Sequence, residues 1–308
     1  MPVIQNKRGH RKPSGFAIAL ILTLALFPAK ALANRIDIGF LEDMCDYHGT
    51  NVMYTAKVRL AFMSTGSSWK AYDHSAEDSK ALSNAASNFA GNRQWVLLRH
   101  DRSVAQVASK GVDKYDWYKD IGLQDLITDL PVEVKGPRDL QFSGWIGCPV
   151  RKPIVLATAP PARDQENWRN EKPSYVPTDA IADHIQNSID EIYQDNDLET
   201  EKLTISKKDL VAAEQYVSNK SDKLIAFRFC SKGPLRNGDD DAVLYWFYVH
   251  DKTPPTFIGR GLVLIDWADY NSDGETEFLF WIDGYNENGY LMTWGSFARN
   301  ASFTWHYH

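Results

Sequence analysis

"LIDWADYNSDGETEFLFWID", residues 264–283, decides the fold. Two runs of branched and aromatic residues flank a polar loop, Asp269–Glu277, rich in turn formers. Short apolar runs of this kind, bounded by Asp, Asn, Ser and Gly, read as strand, loop, strand. The same rhythm continues on both sides. "DLVAAEQYV" (209–217) and "KLIAFRFC" (223–230) flank the hairpin signal "SNKSD", and "AVLYWFYVH" (242–250), "GLVLID" (261–266), "GYLMTW" (289–294) and "SFTWHYH" (302–308) follow with polar turns between them. An antiparallel β unit is expected over this part of the chain.

Upstream, Ile181, Ile185, Ile189 and Ile192 recur at helical spacing, with Thr178 placed to cap and Asp179 in the first turn. They predict one amphipathic helix. Before it, residues 159–177 ("APPARDQENWRNEKPSYVP") carry four prolines and many charges, which reads as a linker. Further upstream, "VMYTAKVRLAFM" (52–63), "RQWVLLRHD" (93–101), "SVAQVAS" (103–109), "DLQFSGW" (139–145) and "PIVLAT" (153–158) read as strands. "EDSKALSNAASNF" (77–89) reads equally as a helix or a polar loop. The expected architecture is mainly β, with an α+β organisation as the alternative. It has two units, 34–158 and 178–308, joined by the linker.

Residues 1–33 form a separate segment. Lys7, Arg8, Arg11 and Lys12 precede the apolar run Phe16–Phe27, then Pro28, then Ala31-Leu32-Ala33. That is the pattern of a secretory signal peptide, with cleavage expected between Ala33 and Asn34 and no permanent membrane span afterwards. The expected location is periplasmic or secreted. Five of the chain's 34 basic residues and none of its 40 acidic ones lie in this segment, so the remainder carries a net charge of −11. So acidic a chain is not built to coat phosphate backbones, which sets nucleic acid aside as a partner. An exported location permits a disulfide among Cys45, Cys148 and Cys230. Three pairings are possible; Cys45 with Cys148 is expected, because both fall in the first unit while Cys230 ends an alternating strand.

Within the loop, oxygen-bearing side chains fall at Asp269, Asn271, Asp273 and Glu277, with Gly274 permitting the tight turn and the Glu275 carbonyl available as a backbone ligand. Ligands at alternate positions can wrap a hard cation, and an all-oxygen set favours Ca²⁺. The competing reading is a plain hairpin turn. An EF-hand would place a glutamate eleven residues after Asp269, where this chain has Phe280, so that motif is excluded. The stretch 263–282 resembles the strand, DxDxDGxxD loop and strand of FG-GAP and VCBS-type calcium loops, with Asn271 and Glu277 as conservative departures. The wider stretch "IDWADYNSDGETEFLFWIDGYNENGY" resembles the carboxy-terminal part of exported bacterial proteins of uncharacterised function. The resemblance implies a structural calcium ion. FG-GAP loops lie in repeated propeller blades, whereas this chain carries one loop and no internal repeat, so a full propeller is not expected.

Other chemistry is sparse. Asp43, Asp46 and His48 beside Cys45 group two carboxylates and an imidazole, which a cleft could turn to general acid and base work. Trp246, Trp267, Trp281, Trp294 and Trp305 form either a sugar-stacking platform or a sandwich core. No GxSxG, Walker, GxGxxG or HExxH motif is present. The reading that results is an exported, non-catalytic binding or envelope-associated protein with a structural Ca²⁺ loop and a cell-envelope or glycan partner. The alternatives are an exported hydrolase with its site in the amino-terminal unit, and a sugar-binding module.

Overall fold

The computed structural model describes residues 35–48, 51–72, 91–100, 102–111, 123–131, 134, 136–142, 147–195, 204–229, 243–251, 253–284 and 286–306. The stretch 77–89, Cys230 and the acidic run 237–241 lie outside them. Every strand pair among the described residues is antiparallel.

A long hairpin joins β1 (Asp37–His48) to β2 (Asn51–Ser64), with Asp37 opposite Met63 and His48 opposite Asn51. β3 (Trp69–Ala71) and β6 (Leu123–Asp125) pair with β2. On the other side of β1 come β9 (Ile154–Ala157), β4 (Arg93–Arg99) and β5 (Arg102–Ser109), completing a seven-stranded sheet. β7 (Arg138–Asp139) and β8 (Val150–Arg151) make a small ribbon. The second sheet runs β10 (Arg169–Glu171), β11 (Leu210–Val217), β12 (Lys223–Phe229), β13 (Leu244–Val249), β14 (Thr256–Arg260). The third is a meander of β15 (Leu262–Ala268), β16 (Glu277–Gly284), β17 (Glu287–Trp294) and β18 (Arg299–His306). The helix α1 spans Asp179–Asp195.

These elements stack in layers because several strands are apolar on both faces. Along β16, Leu279 and Trp281 pack with Phe40, Phe62 and Trp95 of the seven-stranded sheet, while Phe278 and Phe280 pack with Trp246 and Tyr248 of the five-stranded one. Along β13, Leu244, Trp246 and Tyr248 face that second core, while Tyr245, Phe247 and Val249 face Ile181, Ile185 and Ile189 of α1. The order is therefore seven-stranded sheet, four-stranded sheet, five-stranded sheet, helix. A strand covered on both sides reads as a continuous apolar run, which "EFLFW" and "LYWFYV" are. The mainly β class with a single described α-helix, and the absence of a closed barrel or propeller, agree with the sequence reading.

The division into two units joined by a linker is not how the chain is organised. Arg35–His308 forms one compact unit. Phe40 of β1 stacks on Tyr290 of β17 with ring centroids 3.5 Å apart, and the Tyr290 hydroxyl donates to Glu42 at 2.6 Å. The supposed linker is tied down as well: Arg169–Glu171 adds a strand beside β11, and the Ala162 amide donates to the Asp269 carbonyl at 3.0 Å. Its prolines punctuate an ordered crossing instead of a free tether. Cys45 in β1 and Cys148 before β8 are joined in a disulfide, their Cα atoms 6.7 Å apart.

Candidate functional site

The 269–277 loop is closed by its own backbone. Asp269 is almost fully buried, and its carboxylate accepts from the amides of Asp273 and Gly274, each at 3.0 Å. Ser272 and Gly274 adopt positive φ (62° and 92°), which turns successive amides inward; glycine takes that conformation at no steric cost. Asn271 Oδ1 accepts from the Asp273 amide at 3.0 Å, and its Nδ2 donates to Asp273 Oδ2 at 3.0 Å. Asp273 Oδ1 accepts from the Glu275 amide at 2.9 Å. Asp269, Asn271 and Asp273 are thus brought together.

The last two positions are placed differently. The Glu275 side chain points outward to Arg299, 2.7 Å away, which leaves only its carbonyl for the loop. Glu277 is fully buried beneath the loop, accepting from the Trp69 indole at 3.0 Å and the Tyr270 amide at 2.8 Å. Burial pushes the Glu277 carboxyl well above the usual range, and Asp273 and Asp269 push it further. Burial likewise raises Asp269, opposed by its amide hydrogen bonds. Among the described residues no three His, Cys, Asp or Glu side chains are grouped tightly enough to hold a metal.

The amino-terminal trio does not converge. Asp43 is buried and bound to Arg151 and Arg138, whereas Asp46 and His48 lie 3.4 Å apart at the exposed end of the β1–β2 hairpin. Asp43 lies in the buried first part of β1, whereas Asp46 and His48 lie in its exposed last stretch before the hairpin tip, so the three side chains do not share one site. All five tryptophans are buried, none above 9% exposure, so they offer no stacking platform for a sugar. Both outer faces of the meander are covered, which leaves such rings no open side.

One constellation has no local signature in the sequence. The turn after β4 and strand β15 border a cleft of about 370 Å³. His100, in that turn, donates its backbone amide to Asp266 Oδ1 at 2.9 Å, and its Nδ1 lies 2.9 Å from the same oxygen. The imidazole also lies against Trp267, with centroids 4.3 Å apart. His100 has φ +48°, an uncommon value for a side-chain-bearing residue, maintained here by these contacts. Lys152 Nζ donates to the Leu264 carbonyl at 2.8 Å. Irregularities in register fall on both borders, between Leu264 and Asp266 in β15 and between Leu97 and Leu98 in β4. Such bulges re-aim side chains and recur beside functional sites. The available hint was a lone carboxylate, Asp266, inside the apolar run "LVLIDWA"; its partner, 166 residues away, could only be found in three dimensions.

Fold and loop define a layered antiparallel β protein with one acidic, amide-closed loop. Comparison with protein-family models, with curated proteins and with solved structures finds no match for this chain.

Proposed function

We propose that this is an exported, non-catalytic binding or envelope-associated protein in which Ca²⁺ at the 269–277 loop clasps the layers together. One observation carries the reading. Asp269 and Glu277 are carboxyls pushed above their usual range by burial and by the neighbouring Asp273 charge, yet among the described residues the hydrogen bonds to all three carboxylates come from amides and an indole, with no Lys or Arg among them. A divalent cation on Asp269, Asn271, Asp273 and the Glu275 carbonyl would offset that charge where no side chain does. Oxygen ligands from a flexible loop suit Ca²⁺ above softer metals. The role we assign to the ion is structural, because the loop binds back to Ala162, Asp164 and Trp69 and so ties separate parts of the fold together. The signal-peptide pattern of residues 1–33 supports export, with Asn34 as the first residue of the mature chain.

The test is a thermal melt of the chain from Asn34 in EDTA and then in millimolar Ca²⁺, alongside Asp273→Ala. A cation that binds only the folded state adds about 2.7 kcal/mol at a hundredfold excess over its dissociation constant. The parent should melt higher with Ca²⁺ and the variant should not respond. Identical melts in all conditions would reduce the loop to a turn.

A further inference from the structure

Turns belonging to the five- and four-stranded sheets meet around a cavity of about 150 Å³. Glu166 and Trp168 come from the crossing before β10, Lys220 and Asp222 from the β11–β12 turn, Glu275 and Thr276 from the acidic loop, and Ser296 and Phe297 from the β17–β18 turn. Every lining residue is among the described ones. Backbone strain gathers in the same turns: Asn167, Ser221, Ser272, Ser296 and Phe297 are five of the eight described non-glycine residues with positive φ. Phe297, at +64°, is the least expected of them, because a bulky side chain seldom takes that conformation. Strained residues persist only where their surroundings over-determine them, and they cluster at binding and active sites.

The lining is polar and its charges are matched. Glu166 accepts from Lys220 Nζ at 2.8 Å and from the Trp168 indole at 3.1 Å. Asp222 is buried 2.5 Å from His250 Nδ1, and it draws that ring toward its cationic form. Glu275 is held by Arg299. Asp164, behind the wall, is held by the amides of Glu166 and Trp168 and by the Thr276 hydroxyl. The Tyr248 hydroxyl lies between Ser296 and Asp222. Each carboxylate of the lining thus has a basic partner, so a ligand with a charge of either sign would have to break a pair or stay unmatched. A neutral hydroxyl meets no such cost. It donates to a carboxylate, which has about four lone-pair sites, and accepts from Lys220, whose ammonium spends one of its three donors on Glu166. Trp168, Phe278 and Phe297 add an aromatic side to the wall. The cavity is smaller than the range of about 300–1,000 Å³ usual for small-molecule sites, which limits the occupant to one ring.

We infer that this cavity takes a neutral polyhydroxylated ligand the size of one sugar ring, with its hydroxyls on Glu166, Lys220, Asp222 and Tyr248 and its C–H surface toward Trp168 and Phe297. The inference rests on the binding reading and names its ligand class. Recognition is of a single unit in a pocket, not stacking on an open sheet face, and it needs no cation at the loop.

Saturation-transfer NMR on the chain from Asn34, in EDTA and again in Ca²⁺, tests it with glucose, galactose, mannose and N-acetylglucosamine against the cation glucosamine and the anion glucuronate. At least one neutral sugar should bind saturably, and both charged ones at least about tenfold more weakly. A free sugar and the end of a glycan present the same ring; retained binding of the matching methyl glycoside assigns the glycan end, and its loss the free sugar. Lys220→Met and Tyr248→Phe should each weaken the neutral sugar severalfold; the Lys220 side chain is 63% exposed, so its replacement leaves the fold intact. No binding of any neutral sugar, equal binding of the charged ones, or binding untouched by both variants would overturn the assignment. A Ca²⁺ response in the thermal melt without sugar binding would sink the cavity alone, and sugar binding without a Ca²⁺ response would sink the loop alone.

Discussion

Asp43 lies in the middle of a buried strand and its charge is held there by two guanidinium groups. Burial by itself pushes the carboxyl up, but Arg151, at 2.8 Å and 3.0 Å from its two oxygens, and Arg138, at 3.1 Å, outweigh that and hold it below the usual carboxylate range. Removing one partner of a buried pair leaves an uncompensated charge, so Arg151→Ala should lose about 3 kcal/mol, read from the denaturant midpoint at neutral pH. A depressed folded-state value means the contribution is present above the unfolded value of about 3.9 and is lost as pH falls through the folded one. The parent should therefore lose stability below about pH 4 more steeply than Arg151→Ala does. The same pairing explains why β1 is hard to see in the sequence. Asp37, Glu42 and Asp43 interrupt its apolar pattern, and the arginines that answer them, Arg93, Arg59, Arg151 and Arg138, come from other strands. At the loop the reverse holds. Asp269, Asn271 and Asp273 are near neighbours in the chain, so their spacing alone brings them together, whereas the inward turn of Glu277 depends on Trp69, 208 residues away.

At the scale of elements, hairpins were legible and crossings were not. The turn "SNKSD" and the strands around it form as their composition predicts, because turn chemistry and strand propensity are local. The stretch 159–177 looked like a tether because prolines and charges dominate it, yet it supplies β10 and a bridge to Asp269. Close strand approach is equally invisible in one dimension. Gly289 in β17 faces Thr304 in β18 so tightly that a Cβ would fall 2.4 Å from the Phe303 carbonyl and 2.8 Å from the Thr304 Cα. Those are backbone atoms of a paired strand and cannot rotate away. Gly289→Ala should therefore cost about 1–3 kcal/mol, the range for overpacking a tight interior, read as a lowered denaturant midpoint with unchanged slope. An unchanged midpoint would mean that β17 and β18 separate there without cost.

For the whole molecule, the sharing of cores decides how the chain can be divided. The four-stranded meander is a middle layer. One of its faces, carrying Leu279, Trp281, Tyr290, Met292, Phe303 and Trp305, is covered by strands from the first half of the chain. Arg59 of β2 lies 4.1 Å from the centre of the Trp305 ring while holding Glu42, so even the polar groups of that interface span both halves. The sequence pattern shows that these strands are apolar on both sides, but not which sheet covers which face, since any apolar layer would satisfy the pattern. A fragment of residues 159–308, with α1 and the five- and four-stranded sheets, would expose that whole face. Contiguous apolar patches of this kind are rare on soluble monomers and drive association. The isolated fragment should therefore bind a hydrophobic dye strongly, aggregate at micromolar concentration and lack the near-ultraviolet signal of fixed tryptophans, while the chain from Asn34 shows one melting transition by both fluorescence and circular dichroism. A monomeric fragment with a sharp melt of its own would mean that the first half only leans on the meander, and that the layers are separable units after all.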